Sequence, residues 1–223
     1  MKTLAVVPAR AGSKGLPGKN SRLFHGKPLA QWAIECGLRT CARTVVTTDD
    51  PAILELAEQA GAESLERPHD LAQDDTPMLD VLRHVLAMEE PRLPDVLVLL
   101  QPTQPLRRDE HVEHALSLLV KRRDIDSVVS VVQIPAHMSP DYAVGVTGEL
   151  PDGLLRFHSP TTRRQDCRPA YYRDGTVYAI RSHVLACGSM YGRALPLVLQ
   201  PHESVTIDVE ADWARAEEMY QHA

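Results

Sequence analysis

The sequence predicts an α/β protein: a three-layer α/β/α sandwich with a mostly parallel, doubly wound central sheet, formed as a single domain by residues 1–223. Strand and helix patterns alternate along most of the chain, which is typical of this class. Apolar residues follow Asp95 without alternation through Leu100, as in a central strand that is covered on both faces. A glycine-rich loop follows the first strand, at the edge where such sheets bind ligands.

The first half of the chain contains strands and helices with recognisable ends. Leu4–Val7 is apolar throughout and predicts a buried strand. Proline fits the first turn of a helix and glycine fits the residue that closes one, so these residues mark the helix ends. The elements predicted here are a helix Leu29–Cys36 closed by Gly37, a strand Thr44–Thr48, a helix from Pro51 to Ala60 capped by Asp50 and closed by Gly61, a strand Ala62–Leu65, and a helix from Asp75 or Thr76 to Met88.

The second half continues this alternation and then departs from it. Prolines and glycines interrupt residues 134–169, so we expect a small excursion from the core there, within the same domain. A flexible lid is the alternative to a subunit contact. The remaining predicted elements are a helix His111–Val120, strands Ser127–Val132 and Thr176–Ile180, a hairpin of Tyr142–Val146 with Leu154–His158, and a helix Asp212–Gln221 capped by Asp212.

Composition argues against several classes of protein. A formal net charge of −6 and an aromatic content of 4% argue against a nucleic-acid partner. Each apolar run is shorter than a membrane span, and the run that follows Met1 and Lys2 is too short for a signal peptide. The four cysteines show no C-x-x-C pair and no zinc-ligand spacing, which indicates reduced thiols. We therefore expect a cytoplasmic protein with no membrane partner.

The segment Pro8–Asn20 carries most of the chemical information. Its glycines let the backbone turn sharply and lie close to a ligand, and exposed N–H groups with fixed positive charges suit a polyphosphate. It is not a P-loop, because Ser13 stands where that motif needs glycine, and it lacks a G-x-G-x-x-G fingerprint. A surface loop with solvated lysines is the alternative. The residues that predict phosphate binding are Gly12, Gly15, Gly18, Arg10, Lys14 and Lys19.

This segment resembles the opening of the acylneuraminate cytidylyltransferases, also called CMP-sialic acid synthetases, whose loop holds the triphosphate of CTP. Further resemblances at Leu100–Arg107, Asp174–Tyr178 and Thr206–Trp213 extend it over nearly the full chain. The resemblance implies that CTP and a nine-carbon α-keto sugar acid, such as sialic, legionaminic or pseudaminic acid, give a CMP-sugar and pyrophosphate with Mg²⁺ or Mn²⁺. It also implies a homodimer formed through residues 134–169. The nucleotide-binding residues that it implies are Ala9, Arg10, Gly12, Ser13, Lys14, Lys19, Asn20 and Arg67, the last of which is otherwise an ordinary surface arginine.

Sugar-binding residues are implied at and beyond the Leu100–Arg107 turn. Two prolines stiffen this turn and hold Gln101 and Thr103 in place, whereas a plain connector would leave Arg107 and Arg108 facing water. The Gln-Pro-Thr sequence is similar to that of the sialic acid enzymes, while their deoxyoctulosonate-activating relatives carry a Gly-Asp-Glu type turn. The sugar-binding residues that the resemblance implies are Gln101, Thr103, Arg164, Asp174, Tyr178 and Tyr191, with a subunit contact as the alternative for Arg164.

Two positions depart from the family pattern. Asp174 replaces the usual asparagine, and a carboxylate accepts hydrogen bonds only and repels an anionic substrate. Thr206 replaces the first aspartate of the metal-contacting pair, which leaves Asp208 as the implied ligand of Mg²⁺. Because side chains alternate along a strand, Thr206 and Asp208 would share one face. We expect weaker metal binding or a ligand from elsewhere, and an ordinary strand-end role is the alternative for Asp208. The residues predicted to be catalytic are Arg10, Lys19 and Asp208.

Two other functions stay open. Asp174 and Thr206 favour a guanylyl- or other nucleotidyltransferase that acts on a sugar phosphate. Loss of the metal site through Thr206 would instead leave a non-catalytic nucleotide-sugar sensor. A panel of nucleotides separates the first from a cytidylyltransferase, and pyrophosphate release separates an enzyme from a sensor. Outside the site, His111 and His114 fall on one helix face and are expected to be solvated.

Overall fold

The computed structural model describes residues 1–147, 154–157 and 163–221. Its longest strand, with 11 residues, lies in the last quarter of the chain. In chain order the strands are β1 (Thr3–Pro8), β2 (Leu23–Phe24), β3 (Lys27–Pro28), β4 (Arg43–Thr48), β5 (Glu63–Glu66), β6 (Val96–Leu99), β7 (Ser127–Gln133), β8 (Val144–Thr147), β9 (Leu154–Phe157), β10 (Tyr171–Arg181) and β11 (Ala194–Leu199). The α-helices are α1 (Leu29–Thr40), α2 (Pro51–Ala60), α3 (Met78–Met88), α4 (Asp109–Lys121), α5 (Ser182–Ala186) and α6 (Glu210–Tyr220).

Within these ranges, seven strands form one sheet in the order β11–β7–β10–β6–β1–β4–β5. Val6 of β1 pairs with Val45 of β4 on one side and with Leu99 of β6 on the other, in parallel ladders. β10 runs antiparallel to β6 and β7, whereas the other described ladders of this sheet are parallel. The carboxyl ends of β1, β4 and β6 therefore meet at one edge, where the first loop also begins.

Helices cover both faces of this sheet, because successive side chains of a strand point to opposite faces. On one face, Ala5 and Val7 of β1 belong to an apolar core shared with α1, α2 and α4. On the other face, Leu4 and Val6 pack in a core shared with α3 and α5. The predicted three-layer fold with a mostly parallel sheet is confirmed. Sequence analysis missed the edge strand β11 and the short helix α5.

Helix α2 ends as the sequence predicts, and helix α1 does not. Asp50 caps α2 by accepting a hydrogen bond from the Ala52 N–H (2.9 Å), and Gly61 closes it with a φ of 85°. The predicted end of α1 at Gly37 is wrong, because the helix continues to Thr40. A Cβ on Gly37 would lie 2.9 Å from the Ala5 Cβ. This glycine therefore lets α1 pack closely on the sheet and does not close the helix.

Helix α6 begins before the predicted residue. Asp212 lies in its first turn, where its carboxylate accepts hydrogen bonds from the N–H groups of Asp208 (2.9 Å) and Val209 (3.0 Å). The predicted N-cap position of Asp212 is therefore wrong, although its carboxylate does satisfy free N–H groups at the helix start. Trp213 packs edge-on against Phe24 (ring centroids 5.7 Å apart) and attaches α6 to the β2–β3 hairpin.

The excursion leaves the sheet between β7 and β10. Ile134 N–H donates to the Ala170 carbonyl (2.8 Å), which brings its two ends together. The predicted hairpin is confirmed as the antiparallel pair β8–β9. Residues 148–153 and 158–162, on which part of the predicted hairpin falls, lie outside the described part of the chain.

Two expectations about single residue types can be checked against the described residues. All four cysteines fall within these ranges and are free thiols, as expected. His111 is buried in α4, so the expectation that it is solvated is wrong, whereas His114 is exposed. Among the described helices, none has the length and apolar character needed to cross a membrane.

Candidate active site at the carboxyl edge of the sheet

Three segments meet at the carboxyl edge of the sheet and line a cleft of about 610 Å³. They are the loop after β1, the turn after β6 and the segment before α6. Arg67, at the end of β5, lines the same cleft. The predicted site residues that the fold brings together here are Arg10, Gly12, Ser13, Lys14, Lys19, Asn20, Arg67, Gln101, Thr103 and Asp208.

The loop after β1 is held by its backbone. Ala9 is buried, and its carbonyl accepts a hydrogen bond from the Thr48 hydroxyl. Asp49 Oδ1 accepts a hydrogen bond from the Ala11 N–H (2.8 Å), and Asn20 Nδ2 donates to the Arg10 carbonyl (3.0 Å). Asn20 therefore joins the far end of the loop to its start. These contacts pre-form a loop whose cations face the cleft.

Two of the three loop cations share one carboxylate. Arg10 Nη2 lies 2.5 Å from Asp74 Oδ1, and Lys14 Nζ lies 2.6 Å from Asp74 Oδ2. Both ion pairs hold the pKa of Asp74 below its ordinary value, with Lys14 as the first cause. Sequence analysis missed Asp74, because a loop aspartate before a helix has no spacing that singles it out.

Lys19 is buried, unlike Lys14, whose side chain is 82% exposed. Its Nζ donates to the Ile207 carbonyl (2.7 Å) and to Asp208 Oδ1 (3.0 Å). Gly15 permits the same close approach of the two segments, because a Cβ at this position would overlap the Asp208 carbonyl oxygen. The glycine loop and the segment before α6 are thus locked together at Lys19.

Arg67 is buried at the foot of the cleft. It donates from Nη2 to the Thr47 carbonyl (2.7 Å) and from Nε to Thr47 Oγ1 (3.3 Å). Burial lowers the pKa of its guanidinium to about 10, which still leaves it charged at neutral pH. The alternative of an ordinary surface arginine is therefore wrong, and contact with the base stays a prediction.

The turn after β6 is braced from beneath by Arg107. This half-buried side chain donates to the Thr176 carbonyl from Nε and to the Gln101 carbonyl from Nη2, both at 2.6 Å. Burial lowers its pKa to about 10. The alternative of a plain connector, in which both arginines face water, is wrong for Arg107, because its guanidinium bonds to the carbonyls of Gln101 and Thr176. It is correct for Arg108, which is exposed beside Glu203.

Gln101 reaches across to β10 at Gly175. A Cβ on Gly175 would lie 2.3 Å from Gln101 Oε1, and Gly175 has a φ of 88°. The pairing of β10 shifts register between Arg173 and Tyr178, and Gly175 lies in that irregularity. Only glycine meets both demands, because it has no Cβ and accepts positive φ.

Gln104, which sequence analysis missed, links three segments of the site. It is buried, and its Nε2 donates to the Asp174 carbonyl and to Thr206 Oγ1 (2.7 Å). The Thr206 hydroxyl also donates to the Asp174 carbonyl (3.2 Å). The second glutamine of the Gln-Pro-Thr-Gln-Pro turn was the available signal. Its amide can donate two hydrogen bonds at once.

Thr206 and Asp208 do not share a strand face. Residues 204–207, all described, form no strand, because Ile207 N–H bonds to the Thr103 carbonyl (3.0 Å) and the chain then turns into α6. Thr206 points to Gln104, and Asp208 points to Lys19. The strand-face expectation is therefore wrong.

Asp174, Tyr178 and Tyr191 lie outside the lining of this cleft. The Asp174 carboxylate is buried and accepts hydrogen bonds from the N–H (3.3 Å) and hydroxyl of Thr176. Tyr178 lies in the core, where burial raises its pKa. Tyr191 contacts Arg173, whose guanidinium lies 5.1 Å from the ring centroid. The backbone of Arg164 lies in a short 3₁₀ helix, and its side chain is outside the described part of the chain. Sugar contacts for these residues stay predictions.

Asp208 is the carboxylate that suits a metal ion in this cleft. Its side chain is 69% exposed, and Lys19 engages Oδ1. Mg²⁺ is commonly bound by one or two carboxylates together with substrate phosphates and water, so a single exposed carboxylate beside the cationic loop after β1 fits it. Over residues 1–147, 154–157 and 163–221, no group of three or more His, Cys, Asp or Glu side chains converges on a metal-sized site.

Comparisons with known proteins identify the family of this chain. A family model described as Cytidylyltransferase matches residues 4–223. The chain is 34% identical to a CMP-N,N'-diacetyllegionaminic acid synthase of Legionella pneumophila, over 99% of this chain and 97% of the relative. It is 30% identical to an N-acylneuraminate cytidylyltransferase of Escherichia coli O18:K1:H7, over 96% of this chain and 51% of the relative. It is 32% identical to one of Streptococcus agalactiae serotype V, over 80% of this chain and 43% of the relative.

The chain therefore spans about half the length of these N-acylneuraminate relatives and nearly the full length of the legionaminic acid relative. Among solved structures, CMP:2-keto-3-deoxy-manno-octonic acid synthetase in complex with CTP aligns over 100% of both chains, with a TM-score of 0.75 and 22% identity. That likeness establishes the nucleotidyltransferase fold. With the family model matching nearly every residue, the chain belongs to the cytidylyltransferase family.

Proposed function

We propose that the chain joins CTP to a nine-carbon α-keto sugar acid and releases a CMP-sugar and pyrophosphate. One observation carries the proposal: a glycine loop with three cations faces an exposed carboxylate, Asp208, and a braced Gln-Pro-Thr turn across a single cleft. The loop suits a triphosphate, and the turn suits a polyhydroxylated partner. The names of the relatives support the same pair of substrates.

In the proposed reaction, Arg10, Lys14 and Lys19 bind the triphosphate, and Arg67 and Asn20 orient the nucleotide. The anomeric hydroxyl oxygen of the sugar forms a bond to the α-phosphorus, and the proton of that hydroxyl passes to solvent. The bond from that phosphorus to the bridging oxygen breaks, and pyrophosphate leaves with the electron pair. Positive charge at the loop stabilises the leaving pyrophosphate. Such electrostatic stabilisation is a main source of catalysis in enzymes that transfer phosphorus-containing groups.

We further propose that Asp208 binds Mg²⁺. When bound, the ion supplies charge neutralisation at the transferring phosphate. Lys19 holds Asp208 at the mouth of the loop and leaves most of that side chain exposed. Mn²⁺ prefers similar oxygen ligands and is expected to substitute.

The two departures from the family pattern do not favour the other functions. The Asp174 carboxylate, which motivated a different nucleotide or sugar, bonds to Thr176 and not to the cleft. Thr206 was the reason to consider a non-catalytic sensor. Its hydroxyl accepts a hydrogen bond from Gln104 and donates one to the Asp174 carbonyl. Both positions have structural partners that account for their chemistry, so we retain the cytidylyltransferase.

The proposed enzyme is a homodimer that works in the cytoplasm. The excursion and the first residues of β10 expose large apolar side chains, which supports a subunit contact there. These side chains are Met138, Val144, Val146, Tyr171 and Tyr172. A supply of CTP and four free thiols suit a reducing cytoplasm.

Pyrophosphate release with Mg²⁺ or Mn²⁺ tests the proposal. CTP, GTP and UTP are each combined with sialic, legionaminic, pseudaminic and deoxyoctulosonic acids, and the CMP-sugar is identified by mass spectrometry. Release with CTP and a nine-carbon acid supports the function. Release with GTP identifies a different nucleotidyltransferase. Binding of CTP without release under either metal overturns the enzyme proposal in favour of a sensor.

A further inference from the structure

Asp74 joins two of the cations that the proposed nucleotide site uses. Its Oδ1 lies 2.5 Å from Arg10 Nη2, and its Oδ2 lies 2.6 Å from Lys14 Nζ. Asp74 belongs to the segment between β5 and α3, and it lines the same cleft as Lys19 and Asp208. Both oxygens of this carboxylate thus form ion pairs with cations of the loop that faces the cleft.

A polyphosphate offers these cations the same chemistry as the carboxylate, namely anionic oxygens that accept charged hydrogen bonds. Phosphate oxygens that approach Arg10 and Lys14 also approach Asp74. Like charges a few ångströms apart repel one another, so the ion pairs of Asp74 must loosen as the polyphosphate binds.

The geometry of these ion pairs permits exchange. The Asp74 side chain is 33% exposed and that of Lys14 is 82% exposed, so both can move into solvent. Partly exposed ion pairs of this kind are weak and screened by salt. Lys19 differs, because it is buried and bonded to the Ile207 carbonyl as well as to Asp208. The loop thus has one fixed cation and two exchangeable ones.

We propose that Asp74 is an exchangeable counter-ion of the triphosphate site, which neutralises Arg10 and Lys14 between turnovers and competes with polyphosphate for them. This inference rests on the proposed function and adds a residue to that site. Asp74 thereby weakens the retention of the pyrophosphate product. It also offsets the repulsion between the half-buried Arg10 and the exposed Lys14 when no polyphosphate is bound.

Binding of inorganic pyrophosphate, measured by calorimetry at low salt without sugar or CTP, tests this inference. Asp74→Asn is expected to bind pyrophosphate about tenfold more tightly than the wild type, which corresponds to the loss of two partly exposed ion pairs. Asp75→Asn is the matched control, because it removes the same charge from the exposed neighbouring residue. Asp74→Ala is expected to tighten binding in the same direction, and thermal unfolding shows that each variant folds.

Unchanged or weaker pyrophosphate binding by Asp74→Asn would overturn the inference, because Asp74 would then position the cations and not compete for them. Equal tightening in Asp75→Asn would overturn it as well, since net charge alone would explain the effect. Failure of the proposed function is distinguishable. If no CMP-sugar forms but Asp74→Asn still tightens pyrophosphate binding, the counter-ion role stands alone. If CMP-sugar forms without tightening, only the counter-ion role fails.

Discussion

Lys19 Nζ lies 3.0 Å from Asp208 Oδ1, and this contact joins the loop after the first strand to a segment almost at the end of the chain. Lys19 is buried and Asp208 is exposed, so the pair spans the wall of the cleft. The lysine is anchored by the Ile207 carbonyl at 2.7 Å. The charge of the carboxylate therefore has a defined position beside the cationic loop after β1.

Asp208→Asn is expected to lower kcat about 100-fold or more, because stabilisation by a metal ion is worth several kcal/mol. The dissociation constant of CTP should change little. Glu210→Gln is the matched control, since Glu210 lies two residues further along and is paired with Arg22 (2.6 Å). Steady-state kinetics with Mg²⁺ check the prediction, and an Asp208→Asn variant with wild-type turnover would remove the proposed metal ligand.

Lys19→Met and Lys14→Met are expected to differ in stability. Replacement of the buried Lys19 removes a hydrogen bond from a charged group to the Ile207 carbonyl, and we expect a loss of about 2 kcal/mol in the free energy of unfolding. Replacement of the exposed Lys14 should leave stability unchanged. Both variants should bind CTP more weakly. Urea titration and calorimetry check this, and equal stability of the two variants would contradict it.

Gly175→Ala is expected to disturb the sugar side of the site. The new Cβ would meet Gln101 Oε1 and would also require positive φ, at a total cost of about 3 kcal/mol in stability. KM for the sugar acid should rise while the dissociation constant of CTP is unchanged. Gly188→Ala is the control, because it has a φ of 82° and open space around it, so it should cost only about 1 kcal/mol. Equal effects of the two changes would mean that the Gln101 contact has no role.

Stability should fall as the pH drops below the ordinary pKa of histidine, owing to His111. Burial lowers the pKa of this side chain in the folded protein, so the unfolded chain takes up a proton at a higher pH than the folded chain does. The free energy of unfolding therefore decreases from near pH 6.5 down to the lowered pKa of the folded state. His111→Gln should flatten this pH dependence, whereas the exposed His114→Gln should leave it intact. Urea titrations from pH 7.5 to about pH 5 measure the slopes, and an unchanged slope in His111→Gln would refute the assignment.

Val144→Glu combined with Val146→Glu is expected to convert the proposed homodimer to a monomer. Both residues lie on β8, and both are exposed, by 44% and 39% respectively. A pair of charges in an apolar subunit contact is costly because neither charge would be solvated. Val120→Glu, at an exposed site on α4, is the control. Light scattering after gel filtration gives the mass, and a wild type that elutes as a monomer would exclude the dimer.

The sequence by itself determined the fold class and the segments that form the cleft. Alternating strand and helix patterns predicted a mostly parallel sheet, and the carboxyl-edge rule then placed the Pro8–Asn20 loop and the turn after Asp95–Leu100 beside each other. Local chemistry also placed the cap at Asp50 and the C-cap at Gly61, because both depend only on neighbouring residues. The loop cations needed no tertiary information either, since their type and density are local properties.

The tertiary structure alone decided which polar groups meet. Arg107 is half-buried, because its guanidinium bonds to the carbonyls of Gln101 and Thr176. Asp74 reaches Arg10 and Lys14 only because the segment between β5 and α3 passes over the first loop. Thr206 faces Gln104, since one hydrogen bond to the Thr103 carbonyl turns the chain before a strand can form. Such pairings depend on contacts between residues far apart in the sequence, so local sequence patterns cannot predict them.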